Sequence, residues 1–285
     1  MKLNAFQLEL IDDLLNLALK EDVYTGDHTS LACVPQQVIQ KAKLLVKSEG
    51  VISGIEIAKL VINKVDSNLR MEQIMYDGDA IKYGDIAFFI TGNPVSILTA
   101  ERLILNIMQR MSGIATFTNS LVQKIKHTSA RILDTRKTAP GMRVLEKIAV
   151  VNGGALNHRM GLYDMIMIKD NHIDFAGGIE KAIDKVHAYL LDKQLNLKIE
   201  IEARSLDDVK SIIKKGGVNR IMLDNFSPLQ IIEALKIING KYETEASGGI
   251  NEPNLVEYAE TGVNFISIGA LTHQVKSLDL SLKAC

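Results

Sequence analysis

Cysteine is almost absent from this chain: Cys33 and Cys285 are the only two in 285 residues. Two cysteines cannot make a disulfide framework or a cysteine-rich zinc site, so a reducing compartment is expected. The five prolines are scattered, and no low-complexity or charge-rich tract divides the chain. Any domain boundary should therefore be a short turn and not a flexible tether. An excess of one charge is also lacking. Lys+Arg 33 against Asp+Glu 34 leaves −1, which excludes a protein that coats nucleic acid or an acidic membrane by bulk charge. No apolar run approaches the roughly 20 residues of a membrane span. Near the start, Glu9, Asp12 and Asp13 interrupt the apolar positions, unlike a signal peptide. A cytoplasmic protein with no nucleic-acid or membrane partner is the expectation. There is no Walker loop, nucleophile elbow or GxGxxG, and the six histidines have no metal-ligand spacing.

What is present is a core: 47% of the residues are hydrophobic, which rules out wholesale disorder. Phe6, Leu10, Leu14, Leu17 and Ala18 fall at helical spacing and predict an amphipathic first helix. A strand over Gln40 to Val46, a helix over Gly54 to Val65 and short strand-like pieces with turns at Asp77-Gly78-Asp79, Gly84-Asp85 and Gly92-Asn93-Pro94 suggest a small α+β domain. A long helical pattern runs from about Leu98 to Lys126, with Ser112-Gly113 a candidate break. After it, apolar runs alternate with helix-length segments such as Ser205–Lys215 and Pro228–Ile238. The runs are Arg131–Thr135, Met165–Ile168, Leu197–Ile201, Arg220–Leu223, Thr244–Ala246 and Phe265–Ile268. That alternation predicts buried parallel strands, in an open sheet or a barrel short of eight strands.

Each run ends in residues that a buried strand does not need. The ends read Asp134-Thr135-Arg136-Lys137, Lys169-Asp170-Asn171-His172, Glu202, Asp224-Asn225, Ser247-Gly248-Gly249 and Gly269. Active sites of parallel α/β folds assemble at the carboxyl ends of strands. Taken singly, each has a plainer explanation: a solvated lysine, a glycine turn, or a helix N-cap, as expected for Asp207 or Asp208. Together, at successive strand ends, they point to a site. Arg136, Lys137, Arg159 and Lys169 would crowd one pocket, which calls for a polyanionic ligand. Ser247-Gly248-Gly249, ahead of a helix start at Asn251-Glu252-Pro253, has the character of a phosphate seat, with Gly269 as a second wall. Glu202 and Asp224 could bind ribose hydroxyls, hold Mg²⁺ or face developing positive charge. His127 and His187 read as surface residues, and His158, beside Arg159, reads as a site residue.

Ordered motifs over nearly the full length resemble those of the quinolinate phosphoribosyltransferase family, the carboxylating nicotinate-nucleotide pyrophosphorylases. They include Gly26-Asp27-His28-Thr29-Ser30, Ala100-Glu101-Arg102, Arg110-Met111-Ser112-Gly113, Asp134-Thr135-Arg136-Lys137-Thr138-Ala139-Pro140-Gly141, Asn157-His158-Arg159, Lys169-Asp170-Asn171-His172, Leu223-Asp224-Asn225-Phe226 and Ser247-Gly248-Gly249-Ile250. The resemblance implies an α/β fold: an N-terminal α/β sandwich over 1–112, on which the tail 273–285 packs, then an incomplete, open α/β barrel over 113–272. It implies transfer of phosphoribose from phosphoribosyl pyrophosphate to quinolinate with decarboxylation, giving nicotinate mononucleotide in de novo NAD synthesis, with Mg²⁺. Carried over, Arg102, Arg136, His158, Arg159 and Lys169 would hold the quinolinate carboxylates and nearby phosphate oxygens. Thr135 and Lys137 would line the pocket, Lys137 near the pyrophosphate. Glu202 and Asp224 would contact the ribose or its metal, and Ser247, Gly248, Gly249 and Gly269 would seat the 5-phosphate. The catalytic set is then Lys137, Lys169, Glu202 and Asp224. A homodimer with shared sites, or a higher oligomer, is also implied, with Arg102 reaching the neighbour's barrel.

One position departs from the family pattern: Arg204 stands where a small or acidic residue is usual. Glu200 is a second candidate for the site carboxylate, because period-two alternation puts it on the same strand face as Glu202. Glu202 is favoured as the nearer to the strand's end. Three rivals accompany the main expectation: a relative acting on another anionic acceptor, a Schiff-base aldolase using Lys169, and a non-catalytic anion-binding protein.

Overall fold

The computed structural model describes residues 3–35 and 38–285, which fall into two compact units. The first runs to Ser120 and adds Thr138–Gly154 and Leu271–Cys285; the second comprises Leu121–Lys137 and Ala155–Ala270. In chain order the elements begin α1 (Ala5–Val23), α2 (His28–Cys33), β1 (Gln40–Val46), β2 (Gly50–Val51), α3 (Ile55–Val65), β3 (Arg70–Gln73), β4 (Ala80–Ile81), β5 (Ile86–Gly92) and α4 (Pro94–Ile125). Next come β6 (Arg131–Leu133), α5 (Arg143–Asn152), β7 (Ile166–Ile168), α6 (Asp170–Ala176), α7 (Ile179–Asp192), β8 (Ile199–Ala203), α8 (Leu206–Lys215) and β9 (Arg220–Asp224). The chain closes with α9 (Pro228–Ile238), β10 (Glu243–Ser247), α10 (Leu255–Ala259), β11 (Phe265–Ser267), α11 (Ala270–His273) and β12 (Leu280–Ala284). No helix among the described residues is long and apolar enough to cross a membrane.

The first unit is built on an antiparallel sheet in the order β12-β1-β5-β3. β1 alternates, burying Ala42, Leu44 and Val46. The tail supplies the edge strand β12, registered Leu44 to Leu282. Asn4 and Gln7 form a reciprocal capping box that starts α1. Its buried stripe is narrower than the apolar spacing suggests: Ile11 and Leu15 are buried, whereas Phe6, Leu10 and Leu17 are exposed.

The expected break at Ser112-Gly113 does not occur, and α4 runs unbroken for 32 residues. The two residues serve packing. Ser112 Oγ accepts the Ser53 N–H at 3.0 Å and donates to the Ser53 carbonyl at 3.1 Å. Gly113 lets the tail cross the helix, since a Cβ there would collide with the Lys276 carbonyl oxygen and lie 3.2 Å from Ser277 Cα. The compact units accordingly do not divide at 112/113. Residues 138–154 also belong with the first unit. Glu146 of α5, wholly buried, accepts from Arg110 Nε at 2.9 Å and from the Ala139 N–H at 3.3 Å, and the Arg110 guanidinium also donates to the Thr272 carbonyl.

The second unit holds six parallel strands in the order β6-β11-β10-β9-β8-β7. All six are short, and each matches one of the apolar runs. β6 and β7 do not pair, so the barrel is open; on the β6 side Leu156 adds a single parallel bridge to Leu133. In β8, Ile199, Ile201 and Ala203 alternate with Glu200 and Glu202, and all five are buried. One face of this strand is therefore apolar and the other acidic. Ser205, and neither Asp207 nor Asp208, caps α8, its hydroxyl accepting the Asp208 N–H.

The crossing at Gly113 gives a prediction with a definite sign. Helix propensity alone favours Gly113→Ala by about 1 kcal/mol. The tail contact reverses it, and the variant should lose about 1–3 kcal/mol to overpacking, read by chemical denaturation. A stabilised variant would show that the tail does not constrain the helix.

Candidate active site

The second unit brings most of the expected residues to one end of its sheet. Thr135, Arg136 and Lys137 follow β6. Thr135 Oγ1 accepts the Lys137 N–H at 3.0 Å, which folds this segment into a tight turn. Below it, Asp134 is wholly buried and accepts the His158 N–H at 2.8 Å. Asp134 thus anchors the start of His158-Arg159. The loop beyond is held by Asp164, which accepts from the Met160 and Gly161 N–H groups at 2.7 and 2.9 Å. Arg159 donates to the Met165 carbonyl at 3.2 Å. Burial and the Arg136 charge both push the Arg159 guanidinium down from its usual range. Arg136 Nε is buried without a hydrogen-bond partner. Buried donors are rarely left so, and a planar anion would supply what it lacks.

Lys169 follows β7 and reaches Glu202, at the end of β8, with Nζ 2.7 Å from Oε1. The other Glu202 oxygen accepts the Asp170 N–H at 3.0 Å. Asp224 ends β9. Burial first, then the Glu202 charge, raises its carboxyl above the usual carboxylate range. Asn225, in the left-handed region at φ 57°, donates to Asp224 at 2.8 Å, and its N–H donates to the Ser247 carbonyl at 2.8 Å. Gly248 and Gly249 follow at φ +94° and +65°, so Ser247-Gly248-Gly249 is a positive-φ turn that an L side chain would strain. A Cβ on Gly248 would run into the Asn225 amide. The helix expected at Asn251 starts only at Leu255 and is one turn long. Asn251 and Asn254 instead donate to the Gly249 carbonyl, leaving the turn itself as the polar seat. Gly269 sits just beyond β11. Arg102 is not among these residues: it lies exposed on α4, in the first unit.

His158 is only 8% exposed and points inward. Its Nε2 lies 3.1 Å from Glu200 Oε2 and 3.4 Å from Glu245 Oε2, and its Nδ1 faces the Arg159 N–H at 2.6 Å. Burial alone would lower the imidazole, but the two carboxylates at ion-pair distance outweigh it and raise it, a shift that belongs to the ring and the acids as one group. Burial, then Glu245, raises Glu200 to about 7. A second ring proton would set Nδ1–H against the Arg159 N–H, so the contacts are best met with the ring proton on Nε2 and a proton retained among the acids. Glu245, Glu200 and Arg220 complete this interior group, and the sequence reading missed Glu245 and Arg220. The available signal was the alternation of acids in Glu243-Thr244-Glu245, which repeats that of Glu200-Ile201-Glu202.

Two pairs of acids could face a cation. His158, Glu200 and Glu245 bring three ligand atoms within 4.8 Å, but Arg220 Nη1 already lies 3.0 Å from Glu245 and 3.9 Å from Glu200. A guanidinium occupies the place of a metal there. Glu202 and Asp224 at the rim offer only oxygen donors, the chemistry that Mg²⁺ requires.

Comparison with known proteins places the chain in a family. Residues 27–112 match the family model of the quinolinate phosphoribosyl transferase N-terminal domain, and residues 114–283 that of its C-terminal domain. The chain is 44% identical over 285 residues to a chloroplastic nicotinate-nucleotide pyrophosphorylase [carboxylating] of Arabidopsis thaliana, covering 95% of this chain and 81% of the relative. It is 41% identical over 269 residues to a probable enzyme of that name from Bacillus subtilis, covering 94% and 91%. Among solved structures, NadC from Streptococcus pyogenes superposes with a TM-score of 0.92 at 37% identity, covering 99% of this chain and 98% of that one. The nicotinate-nucleotide pyrophosphorylase of Francisella tularensis gives 0.91 at 40% identity, covering 97% and 96%. With both domains matched and such identities held over almost its whole length, the chain belongs to the quinolinate phosphoribosyltransferase family.

Proposed function

We propose that this protein transfers the phosphoribosyl group of phosphoribosyl pyrophosphate to quinolinate and releases pyrophosphate and CO₂, so forming nicotinate mononucleotide for NAD synthesis. Family membership over both domains carries this conclusion. The basic strand ends fit it, because quinolinate bears two carboxylates and the second substrate several phosphate charges. Arg136, with its unpartnered Nε, Arg159 and Lys169 hold the quinolinate carboxylates, while His158, expected beside them, turns its ring inward to Glu200 and Glu245 and lies beneath. Thr135 and Lys137 line the pocket, Lys137 toward the pyrophosphate. Ser247, Gly248, Gly249 and Gly269 seat the 5-phosphate through backbone N–H groups.

As the C–O bond to pyrophosphate breaks, positive charge grows on the ribose ring. Glu202 and Asp224 stabilise it. They are also the residues that would hold Mg²⁺, which when bound with the substrate offsets the charge of the leaving pyrophosphate. The pyridine nitrogen attacks the ribose carbon, its new positive charge stabilises the electron pair left on the adjacent ring carbon as the carboxylate departs as CO₂, and a proton from solvent completes the C–H bond there. The attacking nitrogen carries no proton, so no general base is needed. The aldolase alternative is disfavoured because Lys169 is ion-paired with Glu202, where a Schiff-base lysine needs a lone pair. The cytoplasm is the proposed location, supported by two exposed free thiols, Cys33 and Cys285, that a reducing compartment preserves.

The active form is a homodimer with shared sites, the base for any larger assembly. Two features support this. β7 is an open sheet edge beside a groove of about 470 Å³ lined by Leu162, Met165, Met167 and Phe175, the last 88% exposed. Such an edge is a liability in a lone subunit. A substrate with two carboxylates also calls for a further cation, which Arg102 of the partner subunit would supply.

Three measurements test these assignments. Pyrophosphate should be released with quinolinate and not with nicotinate; release with both, or with neither, would sink the reaction. Gly248→Val should weaken phosphoribosyl pyrophosphate binding at least tenfold more than quinolinate binding, and equal weakening would remove the phosphate seat. Arg102→Ala and Lys169→Ala, each nearly inactive, should recover about a quarter of wild-type activity when co-expressed, if dimers form at random. No recovery despite proven mixed dimers would place Arg102 outside the neighbour's site.

A further inference from the structure

We propose that Glu245, with Glu200 and Arg220, is a positioning residue for quinolinate: buried beneath the basic strand ends, these side chains fix the His158 ring and through it the backbone that carries Arg159. The inference rests on the substrate assignment above. Barrel interiors are commonly filled by branched aliphatic side chains. Here the layer below the rim is ionic. Glu200 of β8 and Glu245 of β10 are both wholly buried and flank β9, whose Arg220 lies between them. Arg220 Nη1 donates to Glu245 at 3.0 Å, Nη2 reaches Glu243 at 3.1 Å, and the guanidinium stacks on Phe265 with its carbon 4.1 Å from the ring centroid. Burying such a group contributes little to stability compared with apolar packing of the same volume. What it provides is direction. Both carboxylates aim an oxygen at His158 Nε2, and the opposite ring nitrogen takes the Arg159 N–H.

His158 meets both carboxylates on its Nε2 side. Its own N–H is tied to Asp134, which fixes the backbone but not the ring torsion. The carboxylates add a second constraint through ion-pair contacts at 3.1 and 3.4 Å, and a buried ring enclosed on both nitrogen sides resists turning. Arg159 follows directly in sequence, so a turn of the ring would release its N–H and let its guanidinium shift. Displacement by about 1 Å is enough to cost on the order of a hundredfold when a site depends on geometry. The carboxylates act through His158 and touch no substrate. Arg220 bridges them, 3.0 Å from Glu245 and 3.9 Å from Glu200.

The test uses the full-length enzyme and Glu245→Gln, which keeps the shape and removes the charge. KM for quinolinate should rise at least tenfold, while KM for phosphoribosyl pyrophosphate stays within twofold of wild type. Glu245→Asp, which restores the charge one methylene shorter, should recover part of that loss. An unchanged quinolinate KM, or equal rises for both substrates, would overturn the proposal. Should Glu245→Gln fail to fold, Arg220→Lys with the same two KM values decides the matter by the same criterion. A wild-type enzyme that does not turn over quinolinate at all would instead sink the substrate assignment, and the two failures are thereby separate.

Discussion

Parallel strands share one direction, and that constraint places nearly every polar group of the site. Because β6 to β11 all run the same way, all six carboxyl ends open on a single rim. The register then decides which groups become neighbours. Glu202 and Met222 are paired across β8 and β9, and Met222 is paired with Glu245 across β9 and β10. The tilt of barrel strands then brings Glu245 toward Glu200, one pleat below Glu202, so that acids on alternate strands meet at His158 without being adjacent in the sheet. No loop has to be long, since each side chain needs only to stand at or just past the end of its strand.

Depth along β8 separates two carboxylates that the sequence pattern cannot tell apart. Glu200 and Glu202 share a face and differ by one pleat, about 7 Å along the strand. At the rim, Glu202 meets Lys169 and the start of α6. One layer down, Glu200 meets His158, Glu245 and Arg220. The deeper position sees almost no solvent, so its carboxyl is pushed up to about 7, whereas the rim position is open to exchange partners with a ligand.

Strand identity was legible because parallel strands buried on both faces leave continuous apolar runs, and each run ended in residues with no packing purpose. The rim residues were legible for the same reason. What stayed hidden depends on contacts distant in sequence. Gly113 reads as a helix breaker, yet it marks where Lys276 crosses, 163 positions later in contact terms and invisible to a local window. Residues 138–154 look like part of the barrel by position, but Glu146 binds them to Arg110. Glu245 and Arg220 were overlooked because charged residues inside strands normally signal an exposed face. Only the three-dimensional pairing with His158 shows that their alternation points inward.

The near-zero net charge conceals how the site tolerates its own cations. Arg136 and Arg159 repel one another, and burial adds to the cost; both lower the Arg159 guanidinium from its usual range. Glu200, Asp164 and Glu202 oppose that shift. The acids under and around the rim thus do for the free enzyme part of what a polyanionic ligand does when it binds. They do it incompletely, since Arg136 Nε keeps no partner. A pocket neutralised fully by its own carboxylates would leave no net attraction for substrate, and one without them could not gather its cations. Placing part of the compensating charge one layer below the rim serves both requirements, because Glu200 lowers the repulsion without occupying a rim donor, whereas Glu202 at the rim is already paired with Lys169.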